Sequence, residues 1–155
     1  ALLGLLNVGY VVSEFEIDTP GLLFEQRAGS SWIYKNEYAY PRAWVQSVDG
    51  KISSDAGLVW TPNQIQVRAS GPGRLVLSEI DYPGWRVEVD GQPDQILSHQ
   101  GLLRSVLIED GEHQIVFSLR PKSLTFGLAG FALGVFWLFL AWRFRRSRGD
   151  HRDII

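Results

Sequence analysis

The chain has 155 residues and no cysteine, which excludes a disulfide framework and a thiolate metal site. Its formal net charge is −2, and its arginines are concentrated in one short C-terminal run, a pattern that does not indicate a nucleic-acid-binding protein. About 120 residues precede the longest apolar segment, which suffices for one domain with a proper core and not comfortably for two.

Residues 1–6 form a short apolar run, ALLGLL. No basic segment or cleavage site accompanies the run, so it is not a signal peptide, and it is too short to span a membrane. We predict that it is the end of a preceding helix or an interfacial segment. Since an extracytoplasmic domain needs an export segment, we also expect the chain to be the C-terminal piece of a longer protein.

Residues 7–121 carry short strand patterns separated by turn signals. The clearest alternation of apolar and polar residues covers 65–69 and 85–89, while 51–63 is loop-like, rich in Ser, Asp, Gly and Pro. The predicted strands are residues 8–15, 22–27, 31–35, 42–48, 65–69, 74–80, 85–89, 95–97, 102–108 and 114–119. No long amphipathic helix interrupts them. We therefore predict an extracytoplasmic antiparallel β-sandwich, jelly-roll or immunoglobulin-like.

Residues 124–142 are 19 consecutive residues without a charge. A helix of this length covers roughly 28 Å, about the hydrocarbon thickness of a bilayer. Trp142 is placed as an interfacial aromatic would be. We predict a transmembrane helix over residues 122–143, followed by a basic cytoplasmic tail, 144–155.

The orientation follows from the flanking charges. Four arginines lie within residues 143–148, whereas the other flank has only Arg120 and Lys122. Positive residues beside a span stay cytoplasmic, so we expect the tail inside and the β-domain outside. Residues 143–155 hold five Arg and two Asp, a net charge of +3, which leaves −5 for residues 1–142. A basic tail suits an anionic inner leaflet.

Five stretches, in this order and spacing, resemble the C-terminal end of the YfhO-like family of bacterial membrane proteins. They are Leu6-Asn7-Val8-Gly9-Tyr10-Val11-Val12, then Tyr34-Lys35-Asn36-Glu37 with Pro41-Arg42-Ala43-Trp44-Val45, Pro62-Asn63-Gln64-Ile65, Ser78-Glu79-Ile80-Asp81-Tyr82-Pro83-Gly84-Trp85 with Val89-Asp90-Gly91, and Gly111-Glu112-His113. The sequence departs from the family pattern at Leu119, where an aromatic is usual. The segment of residues 46–61 is also shorter than in the family.

This family is similar to GT-C glycosyltransferases, which move sugars from polyprenyl-phosphate donors to cell-envelope glycopolymers. The resemblance implies a multi-pass parent in the bacterial cytoplasmic membrane. In GT-C glycosyltransferases the catalytic acid lies near the N-terminus. The resemblance therefore implies that no catalytic residue lies in this chain. The implied partners are the lipid bilayer, the remaining transmembrane helices of the parent, and a polyprenyl-phosphate sugar or an envelope glycan.

Three acidic pairs have the spacing of residues on one face of a strand: Glu79 with Asp81, Glu88 with Asp90, and Asp110 with Glu112. Such a pair can flank a glycosidic bond or hold calcium. Turn and strand chemistry explains these residues better, since Asp90 and Asp110 each precede a glycine. The three histidines, His99, His113 and His151, have no ligand spacing. We predict no catalytic residue, no metal site and no cofactor.

The corner Tyr82-Pro83-Gly84-Trp85 allows two interpretations. Proline fixes φ and glycine relaxes it, so the segment makes a sharp turn between strands. The aromatic rings can lock the sandwich corner, which is the interpretation we favour. Alternatively, Tyr82, Trp85 and Trp44 form a platform for a sugar, with Trp32 or Trp60 beside them.

Gly130 and Gly134 form a small-xxx-small pattern within the predicted span, which is typical of close helix packing. In a multi-spanning protein, the partner is a neighbouring helix of the same chain.

Three functions remain open. The chain is a non-catalytic domain and last span of a GT-C-like transferase, a membrane-anchored carbohydrate-binding module, or a scaffold that binds another envelope protein through a sheet edge.

Overall fold

The computed structural model describes residues 2–54 and 57–148, and the chain divides into two compact units, Ala1–Leu119 and Arg120–Ile155. We call the first the β-unit. Its described elements are α1 (Leu2–Leu5), β1 (Tyr10–Ser13), β2 (Leu22–Ala28), β3 (Ser31–Asn36), β4 (Ala43–Gln46), β5 (Ile52–Ser53), β6 (Gly57–Thr61), β7 (Gln64–Ile80), β8 (Trp85–Val89), β9 (Gln92–Asp94), β10 (Leu97–His99) and β11 (Leu103–Leu119). The second unit contains α2 (Lys122–Arg148). All the strand pairs are antiparallel, which confirms the prediction of a mainly β, antiparallel domain.

The first three strands form a small sheet in the order β1-β3-β2. Buried Asn36 ties this sheet to the N-terminal segment, because its side-chain amide donates to the Val8 carbonyl at 2.7 Å. The Tyr40 amide donates to the Gly4 carbonyl at 2.9 Å, which fixes α1 against the segment that leads into β4. The N-terminal helix is therefore part of the β-unit.

The other strands form a large sheet in the order β5-β4-β7-β11-β8-β9, with β10 also paired to β11 and β6 to β7. Strands β7 and β11 are each 17 residues long, and each contributes to two layers. Residues 74–80 and 103–108 pair with β4 and β10 in layer 1. Residues 64–70 and 111–119 pair with β6 and β8 in layer 2.

The main core lies between the two layers. Its buried members alternate along each strand, so that one face of each layer is apolar. They are Ala43, Val45, Ile65, Val67, Ala69, Leu75, Leu77, Val87, Val106, Ile108, Ile115 and Phe117. This two-layer packing agrees with the predicted sandwich.

A second cluster covers the opposite face of layer 1. Trp44 and Val76 are register partners there, and Leu103 completes the buried set. Leu5 and Leu6 pack against this cluster. Layer 1 is therefore covered on both faces, and its paired strands carry apolar residues at successive positions.

Glycines allow the long strands to pass from one layer to the other. A Cβ on Gly71 would stand 1.8 Å from the Glu109 carbonyl oxygen, and one on Gly73 would stand 2.7 Å from the Gln46 carbonyl oxygen. We predicted that residues 71–73 and 110–111 end strands. That prediction was wrong, because the glycines let two backbones approach closely and pairing resumes on the other side, with a register shift between Ile108 and Gly111. We call this end of the large sheet the bend end.

Residues 51–63 also differ from the prediction of a loop. Two short strands lie there, β5 beside β4 and β6 beside β7, with a register from Gly57 opposite Arg68 to Thr61 opposite Gln64. Their side chains are mostly exposed, so they form the sheet edges, where polar residues give no strong strand signal.

Helix α2 includes the whole predicted span of residues 122–143 and continues to Arg148. Within residues 2–54 and 57–148, no helix is both long and apolar enough to cross a membrane. The predicted tail is helical up to Arg148, and its remaining residues, 149–155, lie outside the described part of the chain.

Candidate functional site

Trp44 is not part of an exposed platform. Only 1% of its surface is accessible, and it packs with Val76 and Leu103 on the outer face of layer 1. Tyr40 stacks against it with ring centroids 5.0 Å apart, and His99 meets it edge-on at 6.2 Å. The burial of Trp44 speaks against the alternative interpretation as part of a sugar platform. A sequence does not reveal which face of a central strand another segment covers.

Trp85 lies in layer 2 and packs against the main core, at the end of the core far from the bend. It begins β8 and is half-buried. The guanidinium carbon of Arg104 lies 3.8 Å from the centroid of its ring, so the cation covers one face. Trp85 and Trp44 consequently belong to two separate clusters, and the structure does not bring the three platform residues together.

Tyr82 is the most exposed of the predicted platform residues, with 67% of its surface accessible. Trp60 is 47% exposed, and the Arg42 guanidinium carbon lies 4.8 Å from the centroid of its ring. Trp32 belongs to the small sheet, where Arg27 covers its ring at 4.5 Å.

A single carboxylate connects the two arginines of layer 1. Glu79 Oε1 accepts from Arg42 at 2.7 Å, and Glu79 Oε2 accepts from Arg104 at 2.5 Å. Because each arginine also stacks on a tryptophan of layer 2, the five side chains join the two layers in the order Trp60, Arg42, Glu79, Arg104 and Trp85. We call these residues the exit-end cluster, since β11 ends beside Trp85 and the chain leaves the β-unit there.

Two of the sequence stretches that carry the family resemblance meet in this cluster. The Ser78 hydroxyl donates to the Pro41 carbonyl at 2.9 Å, and the Ser78 amide donates to the Arg42 carbonyl at 2.9 Å. Residues 41–45 and 78–85 thus form one structural unit, although they are more than 30 positions apart in the sequence.

Arg104 is the unusual member, because it is a charged side chain that is only 1% exposed. Burial lowers the pKa of its guanidinium, while the neighbouring Glu79 and Asp81 carboxylates act to raise that pKa. Its Nε and Nη1 atoms are buried and have no hydrogen-bond partner among the described residues. Glu79 is therefore the group that compensates for the burial of this charge.

The Glu79 carboxylate is engaged within the cluster. Both oxygens of Glu79 already accept hydrogen bonds from arginines. The parts that face outward are the exposed surfaces of Trp60 and Arg42. Tyr82 lies close to Glu79 in the sequence. Aromatic faces and a guanidinium can contact a sugar, a phosphate or a lipid headgroup.

The other acidic pairs are divided between turns and strands. Asp90 has a positive φ of 51°, and its carboxylate accepts from the Gln114 amide at 2.8 Å and contacts His113 Nδ1 at 2.7 Å. The hydrogen bond from Gln114 and the contact with His113 lower the pKa of Asp90, and Asp90 in turn raises the pKa of His113. This pairing fastens the β8–β9 turn to β11.

A polar cleft of about 470 Å³ borders the same contact and is lined by Arg68, Ser70, Asp90, Glu112 and His113, among others. Within the described residues, no three His, Cys, Asp or Glu side chains come together as metal ligands do. His99 lies beside Trp44 and does not line this cleft, and His151 lies outside the described residues.

Gly130 and Gly134 lie within α2. A Cβ at either position would meet no atom within 4 Å, so the described chain provides no neighbouring helix for them. The predicted packing role stays a prediction.

Sequence reasoning missed Arg42 and Arg104. The signal for Arg104 was present, because it is a cation within the strand pattern Leu102-Leu103-Arg104-Ser105-Val106-Leu107-Ile108, where a buried charge requires a partner. Nothing in the sequence identifies Glu79 as that partner, since 25 residues separate the two and only strand pairing brings them together.

Comparisons of the chain with protein-family models, with curated proteins and with solved structures found no match.

Proposed function

We propose that the chain is the non-catalytic extracytoplasmic domain and last membrane helix of a polytopic bacterial membrane protein. The parent would resemble polyprenyl-phosphate-sugar-dependent GT-C glycosyltransferases that act on cell-envelope glycopolymers. In this proposal the β-unit positions a lipid-linked donor or a glycan acceptor and carries out no chemistry.

The observation that carries the membrane part of the proposal is the surface of α2. Five consecutive side chains, Val135, Phe136, Trp137, Leu138 and Phe139, are between 49% and 73% exposed. Successive residues of a helix are turned by about 100°, so five in a row point in all directions around the axis. A helix that is apolar on every side needs an apolar environment on every side, which water does not provide.

The length of the apolar run supports the same proposal. The sequence has no charged residue from 124 to 142. Arg143 follows at once, so the positive charge would lie on the cytoplasmic side.

The proposal that the β-unit is accessory rests on the state of its best candidate carboxylate, since Glu79 is engaged by two arginines. The alternative of a carbohydrate-binding module is weakened, because Trp44 is buried and one face of Trp85 is covered by Arg104. The family assignment depends on the sequence stretches, which include Arg42, Glu79 and Trp85 of the exit-end cluster.

Membrane topology can be tested directly because the chain contains no cysteine. We would place a cleavable secretion signal before Ala1 and introduce Ser30→Cys in the exposed β2–β3 turn or Ser147→Cys in the tail. In intact cells, a membrane-impermeant maleimide should label Ser30→Cys and leave Ser147→Cys unlabelled until detergent is added. Labelling of Ser147→Cys in intact cells would contradict the proposed orientation.

The polytopic parent has its own test. The gene segment upstream of Ala1 should encode further hydrophobic spans. If it encodes only a signal peptide, the transferase proposal fails, although α2 could still be an anchor.

A further inference from the structure

The chain leaves the β-unit between two exposed turns. The Leu119 amide donates to the Asn63 carbonyl at 2.9 Å, and Leu119 pairs in register with Trp85. The turn between β6 and β7 and the turn between β7 and β8 therefore border the residue at which β11 ends. Helix α2 begins at Lys122, three residues later.

These two turns present amphipathic aromatic side chains. Trp60 precedes the first turn and is partly exposed. Tyr82 lies in the second turn and is largely exposed, and Ile80 near it is 58% exposed. Neither the Trp60 indole nitrogen nor the Tyr82 hydroxyl hydrogen-bonds to another described residue. Rings with an apolar body and an unpaired polar tip are the residues that accumulate at membrane–water interfaces.

Two arginines lie at this end of the β-unit. Arg42 stacks over Trp60, and exposed Arg86 pairs in register with Ser118, one position before the end of β11. The carboxylates in this region are Glu79, which is shared by two arginines, and Asp81, which is exposed. Guanidinium groups beside interfacial aromatics can pair with the phosphates of lipid headgroups.

We propose that this exit end of the β-unit lies in the headgroup layer of the bilayer, with Tyr82 and Trp60 as interfacial anchors. The inference rests on the proposed membrane location of α2. Three residues extend at most about 11 Å, and each headgroup layer is roughly 5–7 Å thick, so the turns beside Leu119 are within reach of the headgroups if α2 is embedded. A glycan or a second protein could cover the same aromatics. Only the bilayer, however, would be kept close to this end of the β-unit by the short connection between Leu119 and α2.

The test uses the full chain with one fluorophore attached at a single introduced cysteine. Asn63→Cys places the probe in the first turn and leaves both aromatics intact. Val48→Cys is the matched control, since Val48 is 97% exposed in the β4–β5 turn at the bend end. Both proteins are reconstituted into vesicles of phosphatidylcholine and phosphatidylglycerol, and quenching is measured with headgroup-nitroxide lipid and with aqueous iodide.

We expect the nitroxide lipid to quench the probe at Asn63 at least about threefold more than the probe at Val48, with the reverse order for iodide. Adding Tyr82→Ser to the Asn63→Cys protein should reduce lipid quenching. Unchanged lipid quenching would show that Tyr82 is not an anchor.

The failures of the two proposals are distinguishable. If the chain does not float with the vesicles, the membrane location itself fails. If it floats but both probes respond equally to lipid and iodide, only the exit-end inference fails. If the probe at Asn63 is shielded from iodide without lipid quenching, a protein surface covers the turn and the lipid inference is overturned.

Discussion

At the bend end of the large sheet, Gly71 and Gly73 bring backbones into contact, whereas at the exit end Glu79 and two arginines connect the layers through side chains. The bend therefore depends on the absence of Cβ atoms, and the exit end depends on balanced charges around a buried guanidinium. The two ends should therefore respond differently to substitution, the bend end to an added methyl group and the exit end to the loss of a carboxylate.

The largest effect is expected at the carboxylate of the exit end. Glu79→Ala leaves Arg42 and buried Arg104 without their shared partner. Breaking a buried ion pair in this way costs about 3–5 kcal/mol, so the free energy of unfolding should fall by that order. Chemical denaturation measures it, with Glu112→Ala as the control, because Glu112 is exposed and should change stability by less than about 0.5 kcal/mol. Equal losses in the two variants would show that Glu79 does not hold this end together.

A smaller loss is expected at the bend end. Gly71→Ala would place a Cβ 1.8 Å from the Glu109 carbonyl oxygen, so β7 and β11 must separate locally. Overpacking of this kind costs about 1–3 kcal/mol. Gly9→Ala is the matched control, because a Cβ there meets nothing within 4 Å. If the two variants unfold at the same denaturant concentration, close backbone contact does not define the bend.

The sequence predicted much of the fold and little of the site. Alternation at 65–69 and 85–89 correctly indicated half-buried strands, because a period of two is a local property. The continuity of β7 through Gly71 and Gly73 was missed, since glycines that allow backbone contact look the same as glycines that form a turn. Trp44 and Trp85 could not be assigned to different clusters, because their surroundings come from α1 and from Arg104, which are distant in sequence.

The pairing of His113 with Asp90 should make the free energy of unfolding depend weakly on pH. This change in free energy should be smaller than the loss in Glu79→Ala or Gly71→Ala. Asp90 raises the pKa of His113, so this contribution is fully present below the ordinary value of 6.5 and is lost as pH rises through the folded-state pKa. The pKa of Asp90 is lowered, so its contribution is present above the ordinary value of 3.8 and is lost as pH falls through its folded-state pKa. The unsubstituted chain should thus exceed His113→Gln in melting midpoint by more at about pH 5 than at about pH 8. Thermal melts of the two proteins at both pH values measure this difference. An identical pH profile in the variant would contradict the role of this pair.

The smallest stability effect is expected at the exposed aromatic of the exit end. Tyr82→Ala should change the free energy of unfolding by no more than about 0.5 kcal/mol, because the side chain is largely exposed. Denaturation in the absence of lipid measures this. A loss as large as that of Glu79→Ala would mean that Tyr82 supports the fold and is not a free surface residue.

We propose that α2 is embedded in a bilayer, and resistance to alkaline carbonate extraction tests this proposal most directly. Full-length chain in bacterial membranes should stay in the pellet at high pH and float with the lipid in a density gradient. The double variant Leu133→Arg with Leu138→Arg puts two charges in the middle of the helix, each costing about 2.5–3.5 kcal/mol on insertion, and should move the chain to the supernatant. Extraction of the unaltered chain by carbonate would contradict the claim.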